Sequence, residues 1–111
     1  MDDVVIKKST IKQFPNGLGV FANKNFNAGD VVIHYHLRIL TPEEFQNLPD
    51  DEKMFVHVRQ RVIYLYSLPE RYVNHCDKPN TIQDFTRHCD IALRSIKKGE
   101  EITTNAQRED S

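Results

Sequence analysis

The sequence predicts a mostly β domain with short helices, built from small sheets packed together. Three observations predict it. Short apolar segments recur between turn signals, a period-two alternation runs from Asp30 to Leu40, and helix-start chemistry is concentrated after Leu40.

The first two segments are Val4-Val5-Ile6 and Val20-Phe21-Ala22, read as short strands. Between them Gly17 and Gly19 bracket Leu18, and Asn27-Ala28-Gly29-Asp30 is a turn signal. From Asp30 to Leu40 the alternation predicts one half-buried strand. Val31, Ile33, Tyr35, Leu37 and Ile39 share its inner face, and His34, His36 and Arg38 share the outer. Thr41-Pro42-Glu43-Glu44 then opens a helix: Thr41 caps it, Pro42 suits the first turn, and Glu44 completes a capping box. Phe45 and Leu48 fall on its inner face, Pro49 ends it, and Asp50 starts a second short turn. Val62 to Tyr66 is apolar on both faces and reads as a buried strand. Asn80–Phe85, His88–Leu93 and Glu101–Thr104 are three further strands, with a turn at Gly99.

The chain of 111 residues suits one domain with one modest core. Its net charge of -1 gives no global basic field, which disfavours nucleic acid as the main partner. No apolar run is long enough for a bilayer span, and the acidic start does not read as a signal peptide. Cys76 and Cys89 are therefore read as reduced thiols, small and at least half-buried, in an intracellular, cytoplasmic protein (nuclear in a eukaryotic host). His34 and His36 share a face without a third ligand, so they read as surface residues and no metal is expected. Asp50-Asp51-Glu52 reads as a charged helix start, and Lys7-Lys8 and Lys97-Lys98 as solvated pairs.

The stretch from Arg71 to Asn80, Arg-Tyr-Val-Asn-His-Cys-Asp-Lys-Pro-Asn, is too polar for core. Read alone it is either a loop with Asx-turns around Pro79 or a segment that holds a ligand. It resembles the Arg-Phe-x-Asn-His-Ser-Cys-x-Pro-Asn motif of SET domains, with Tyr72, Cys76 and Asp77 as the departures. Three other blocks agree in order. Asn16 to Ala22 resembles the opening Gly-x-Gly block, Ala28 to Tyr35 the Gly-Glu-x-hydrophobic-x-Glu-Tyr block, and Ala92 to Thr103 the Ala-x-Arg-x-Ile-x-x-Gly-Glu-Glu-Leu-Thr block.

The resemblance implies a SET fold of small curved sheets with a pseudoknot-like C-terminal segment. It divides a single domain, 1–111, into an N-terminal part at about 1–40, a helical insert at about 41–55 and a C-terminal part at about 56–106. It also implies S-adenosylmethionine as cofactor and a lysine-containing protein or peptide as partner, with no membrane role. Gly17, Leu18 and Gly19 would grip the cofactor through their backbone, Asn74 its methionine end and His75 its adenine side. Tyr35 would line the lysine channel, where the amine must be neutral. In water that deprotonation costs roughly 4–5 kcal/mol at pH 7, and a desolvated channel beside a sulfonium lowers it.

The pattern breaks where the family carries an Asp-Tyr pair, because Asn105 and Ala106 stand there. His34 and Leu37 also replace the Glu and Gly that flank the channel tyrosine in the family. Another tyrosine (Tyr64, Tyr66 or Tyr72) could serve instead, or a second copy could complete the site in a homo-oligomer. Two functions of different class follow: a protein-lysine N-methyltransferase, or a non-catalytic module that keeps the fold for binding.

Overall fold

The computed structural model describes residues 3–11 and 17–105. Strand accounts for 42% and helix for 12%, so the fold is mostly β. The strands are β1 (Val4–Lys8), β2 (Leu18–Ala22), β3 (Val31–His34), β4 (Arg38–Leu40), β5 (Val56–Arg59), β6 (Val62–Leu65), β7 (Asn74–His75), β8 (Thr81–Asp84), β9 (Cys89–Ala92) and β10 (Glu101–Thr104). They form three small sheets, ordered β1-β2-β10-β7, β3-β9-β8 and β4-β6-β5.

Helix α1 (Pro42–Gln46) carries the expected capping box: the Glu44 amide donates to Thr41 Oγ1 (3.0 Å) and the Thr41 amide to Glu44 Oε1 (2.9 Å). It ends at the Asn47 cap, before Pro49, and Leu48 packs beside Leu40, Phe55 and Leu65 from outside the helix. The acidic run Asp50-Asp51-Glu52 opens α2 (Asp50–Lys53), as expected of a charged helix start.

Two expectations are corrected. The alternation from Asp30 to Leu40 is not one strand, because the chain leaves the β3 sheet at Tyr35 and enters the β4 sheet at Arg38. Its turn is held by polar partners that no periodicity encodes. The Tyr35 amide donates to the His88 carbonyl (2.9 Å), and the His36 amide to the buried Glu70 carboxylate (2.6 Å). Ile39 therefore ends 65% exposed instead of inside. The second correction concerns β6, in which only Leu65 is buried, because the small β4-β6-β5 sheet is covered incompletely. Strands β5 and β7 and the 3-10 turn Glu70–Tyr72 carried no clear sequence signal.

The main core gathers Val4, Val20 and Ala22 from the first hairpin, Val32 and Ile33 from β3, Ala92 from β9, and Ile102 from β10. Phe26 and Ile96, both fully enclosed, join two turns through reciprocal backbone hydrogen bonds of 2.7 and 2.9 Å. Burial of each such side chain contributes about 1.5–3 kcal/mol. Tyr72 packs against this core and against the smaller Leu40–Phe55–Leu65 cluster, joining the two.

Candidate functional site

The central feature is the seat of β10. It runs antiparallel to β2 (Ile102 opposite Val20) and parallel to β7 (Thr103 opposite Asn74, Thr104 opposite His75). The C-terminal strand is thus locked between an N-terminal strand and the polar motif, the interlocking that a pseudoknot-like arrangement needs.

Side chains of the motif make the lock. Asn80 imitates a strand: its Nδ2 donates to the Glu101 carbonyl (2.8 Å) and its Oδ1 accepts from the Thr103 amide (2.8 Å). Asn74 is buried, and its Nδ2 lies 2.9 Å from the Leu18 carbonyl, 3.0 Å from Ser9 Oγ and 3.0 Å from Glu101 Oε2. Arg71 clamps Glu52 through both nitrogens (3.0 and 3.1 Å) and donates to the Tyr66 carbonyl, tying α2 to the end of β6.

Glu101 anchors this network, and sequence reading missed it. Its carboxylate accepts from Ser9 Oγ (2.7 Å) and from the Thr10 amide and hydroxyl (3.1 and 3.0 Å), in addition to Asn74. Burial pushes its pKa up, but the hydrogen bonds from Ser9, Asn74 and Thr10 outweigh that and hold the carboxyl below the ordinary value. A Cβ on Gly19 would collide with this carboxylate, so Gly19 is a glycine because Glu101 needs the space. Gly17 has a different reason. Its φ is +68, and a Cβ there would meet nothing within 4 Å.

Gly17, Leu18, Gly19 and Asn74 are therefore brought together. His75 follows on β7, the edge strand of its sheet, so one side of that backbone faces away from the ladder. Its ring Nε2 lies 3.1 Å from Asp77 Oδ1.

Tyr35 stands apart, among other partners. Its hydroxyl donates to the buried Asp90 carboxylate, and its ring sits 6.0 Å from Tyr66 and 6.2 Å from Phe85. Burial, then the Asp90 charge and hydrogen bond, raise its pKa far above the ordinary 10.0. Of the three alternative tyrosines, Tyr66 neighbours Tyr35, Tyr72 packs edge-on to Phe55 and Tyr64 lies against His88. Cys76 is half-buried and Cys89 buried, both free thiols, and His34 and His36 are exposed. Ala106 lies outside the described residues.

The SET domain family model matches residues 17–105, from the Gly17 turn to the residue after β10. The chain belongs to the SET domain family. No curated protein sequence matches it. Among solved structures, a Plasmodium falciparum protein assigned as a histone methyltransferase is similar at 20% identity and a TM-score of 0.73, over 98% of this chain and 96% of that one. A humanized mutant of the Chaetomium thermophilum Polycomb Repressive Complex 2, bound to an inhibitor, is similar at 25% identity and a TM-score of 0.69, over 92% of this chain. The same complex in an autoinhibited conformation bound to S-adenosylmethionine matches at 24% identity and a TM-score of 0.69, over 94% of this chain. This SET domain spans only 14% and 15% of those two chains' lengths.

Proposed function

We propose that this SET domain is an S-adenosylmethionine-dependent protein-lysine N-methyltransferase. The observation that carries the reading is the Asn74 hydrogen bond to the Leu18 carbonyl, which seats the motif strand against the Gly17–Gly19 turn. The residues present suit the cofactor: open space beside Gly17, a glycine-bracketed backbone, and the outward backbone edge of β7 at His75. When bound, S-adenosylmethionine supplies an electrophilic methyl group on a sulfonium.

The chain's own residues would contribute orientation, which can supply about 7–11 kcal/mol of such a barrier. Asn74, buried and bonded to Leu18 and Glu101, acts by holding the turn and β7 in register. His75 would face the cofactor from the strand edge. Tyr35, whose hydroxyl keeps its proton in a hydrogen bond to Asp90, retains lone pairs that can accept an N–H from a lysine amine. The partner is then a lysine-containing protein or peptide.

The test is a calorimetric titration with S-adenosylmethionine, followed by transfer of a labelled methyl group to a library of lysine peptides. His75→Ala is a better control than Asn74→Ala, because Asn74 is buried in the fold's central lock. Binding lost in the control, together with label on lysine, supports the reading. Binding without transfer to any lysine sinks it.

That second outcome leaves the non-catalytic module, which one observation favours: the hydroxyl of half-buried Tyr35 is tied to Asp90, and Asn105-Ala106 replaces the family's Asp-Tyr pair. This alternative fails if the unmodified protein turns over as fast as Ala106→Tyr.

A further inference from the structure

A two-lobed cleft lies beside Tyr35. One lobe, of about 400 Å³, is lined in part by Gln83, Asp84, Thr104 and Asn105; the other, of about 230 Å³, by Leu37, Gln60, Tyr64 and His88. Arg59, Phe85 and Thr86 belong to both. The Arg59 guanidinium lies 4.7 Å from the centre of the Phe85 ring, which stacks on His57 on one side and neighbours Tyr35 on another.

Arg59 is the cationic side chain that lines both lobes, with Asp84 in the larger lobe and His88 in the smaller. Arg59 ends β5, Arg61 follows the lining residue Gln60 on the β5–β6 turn, and Arg87 stands between the lining residues Thr86 and His88 on the β8–β9 turn. Among the described residues no carboxylate pairs with Arg59 or Arg61 within ion-pair distance. The one acid facing them, Asp84, accepts from the Thr86 and Arg87 amides and reaches the Arg87 side chain only at 4.0 Å.

A second observation is independent of charge. Gln60, Arg61 and His88 are the three non-glycine residues with positive φ among the described residues, at 50°, 69° and 52°. All three sit on the two turns that border this cleft. A two-residue turn of this type ordinarily takes Asn-Gly. Residues held in that conformation against their preference cluster where a ligand is clamped.

We propose that the cleft docks an acidic protein segment, with Asp or Glu side chains of the partner set against Arg59 and the rim arginines Arg61 and Arg87. Guanidinium groups pair with carboxylates in a planar, two-pronged geometry. The cleft also opens between two edge strands, β5 and β8, and its polar lining of Gln83, Thr104 and Asn105 suits a peptide backbone. A long polyanion suits it less, because the whole chain carries a net charge of -1. The inference deepens the methyltransferase reading, on which it rests only for the role of neighbouring Tyr35: the target lysine would be flanked by acidic residues.

The experiment is fluorescence anisotropy of the full chain with three labelled lysine-centred peptides, flanked by Asp/Glu, by Ala, or by Lys/Arg. The acidic peptide should bind about tenfold more tightly than the alanine peptide at low salt, with the preference shrinking as salt rises. Arg59→Ala and the exposed Arg87→Ala should each weaken it several-fold, whereas Lys24→Ala, paired with Asp3 elsewhere, should not. Equal binding of the three peptides, preference for the basic one, or indifference to both arginine variants overturns the proposal. So does tighter binding of a single-stranded oligonucleotide. Failure of the methyltransferase reading is distinguishable, since an acidic peptide that binds without being methylated leaves the cleft standing. A methylated basic peptide does the reverse.

Discussion

The β10 lock and the Tyr35 cleft are built on opposite principles. In the lock, polar groups are matched: buried Asn80 satisfies two backbone groups of β10, and half-buried Glu101 gathers donors from Ser9, Thr10 and Asn74. In the cleft, Arg59 shares the larger lobe with Asp84 but forms no ion pair with a described residue, and the two bordering turns hold a left-handed backbone at Gln60, Arg61 and His88 without glycine. The contrast teaches where each kind of residue acts. A satisfied network fixes geometry, and a strained rim whose arginine forms no ion pair with a described residue is placed to recognise something else.

Substitutions can break that comparison. The largest effect is expected from Asn80→Ala, which strands the Thr103 amide and the Glu101 carbonyl in the interior. It should cost about 2–4 kcal/mol in urea unfolding; a loss below half of that would mean that water replaces the side chain.

Glu101→Gln should cost about 1–3 kcal/mol by loss of charge-assisted hydrogen bonds. The same carboxylate predicts a pH dependence. Its folded pKa lies below the ordinary 4.5, so its contribution is complete above that pH and is lost as pH falls through the folded value. Denaturation midpoints measured from neutral pH down into acid should drop at the low end, and less so in Glu101→Gln.

Gly19→Ala should destabilise by about 1–3 kcal/mol, because the new methyl group meets the Glu101 carboxylate. Combined with Glu101→Gln, the two costs should fall short of their sum. Strict additivity would show that Gly19 is not reserved for Glu101.

The smallest effect has the opposite sign. Gln60→Asn with Arg61→Gly should raise stability by about 1 kcal/mol, because both positions hold positive φ. If the same variant also weakens acidic-peptide binding, strain and recognition share one turn. Destabilisation would mean that these side chains hold the fold.

Much of this was legible in the sequence. The capping box at Thr41–Glu44 and the turn at Asn27–Asp30 depend on neighbouring residues, and each formed locally as read. The segment from Arg71 to Asn80, read as too polar for core, instead buries Asn74 and Asn80 through partners on β2 and β10. Errors arose where a distant group competes with a local pattern. The alternation through Tyr35 is broken by the His88 carbonyl and the Glu70 carboxylate, which lie dozens of positions away. Glu101 read only as part of a motif block, because Ser9 and Thr10, which surround it, come from the other end of the chain.

The sequence by itself determined the mostly β class, the family blocks from Gly17 to Thr103, and the pairing of a glycine turn with an Asn-His segment as the candidate site. These rest on short-range spacing, which one strand or turn expresses alone. Only the tertiary structure decided that Asn74 bonds to the Leu18 carbonyl, that the Tyr35 hydroxyl donates a hydrogen bond to Asp90, and that Arg59 and the turns after β5 and β8 border one cleft. The physical reason is that hydrogen-bond and charge partners are chosen by proximity in space, and β pairing brings together residues that the chain keeps far apart.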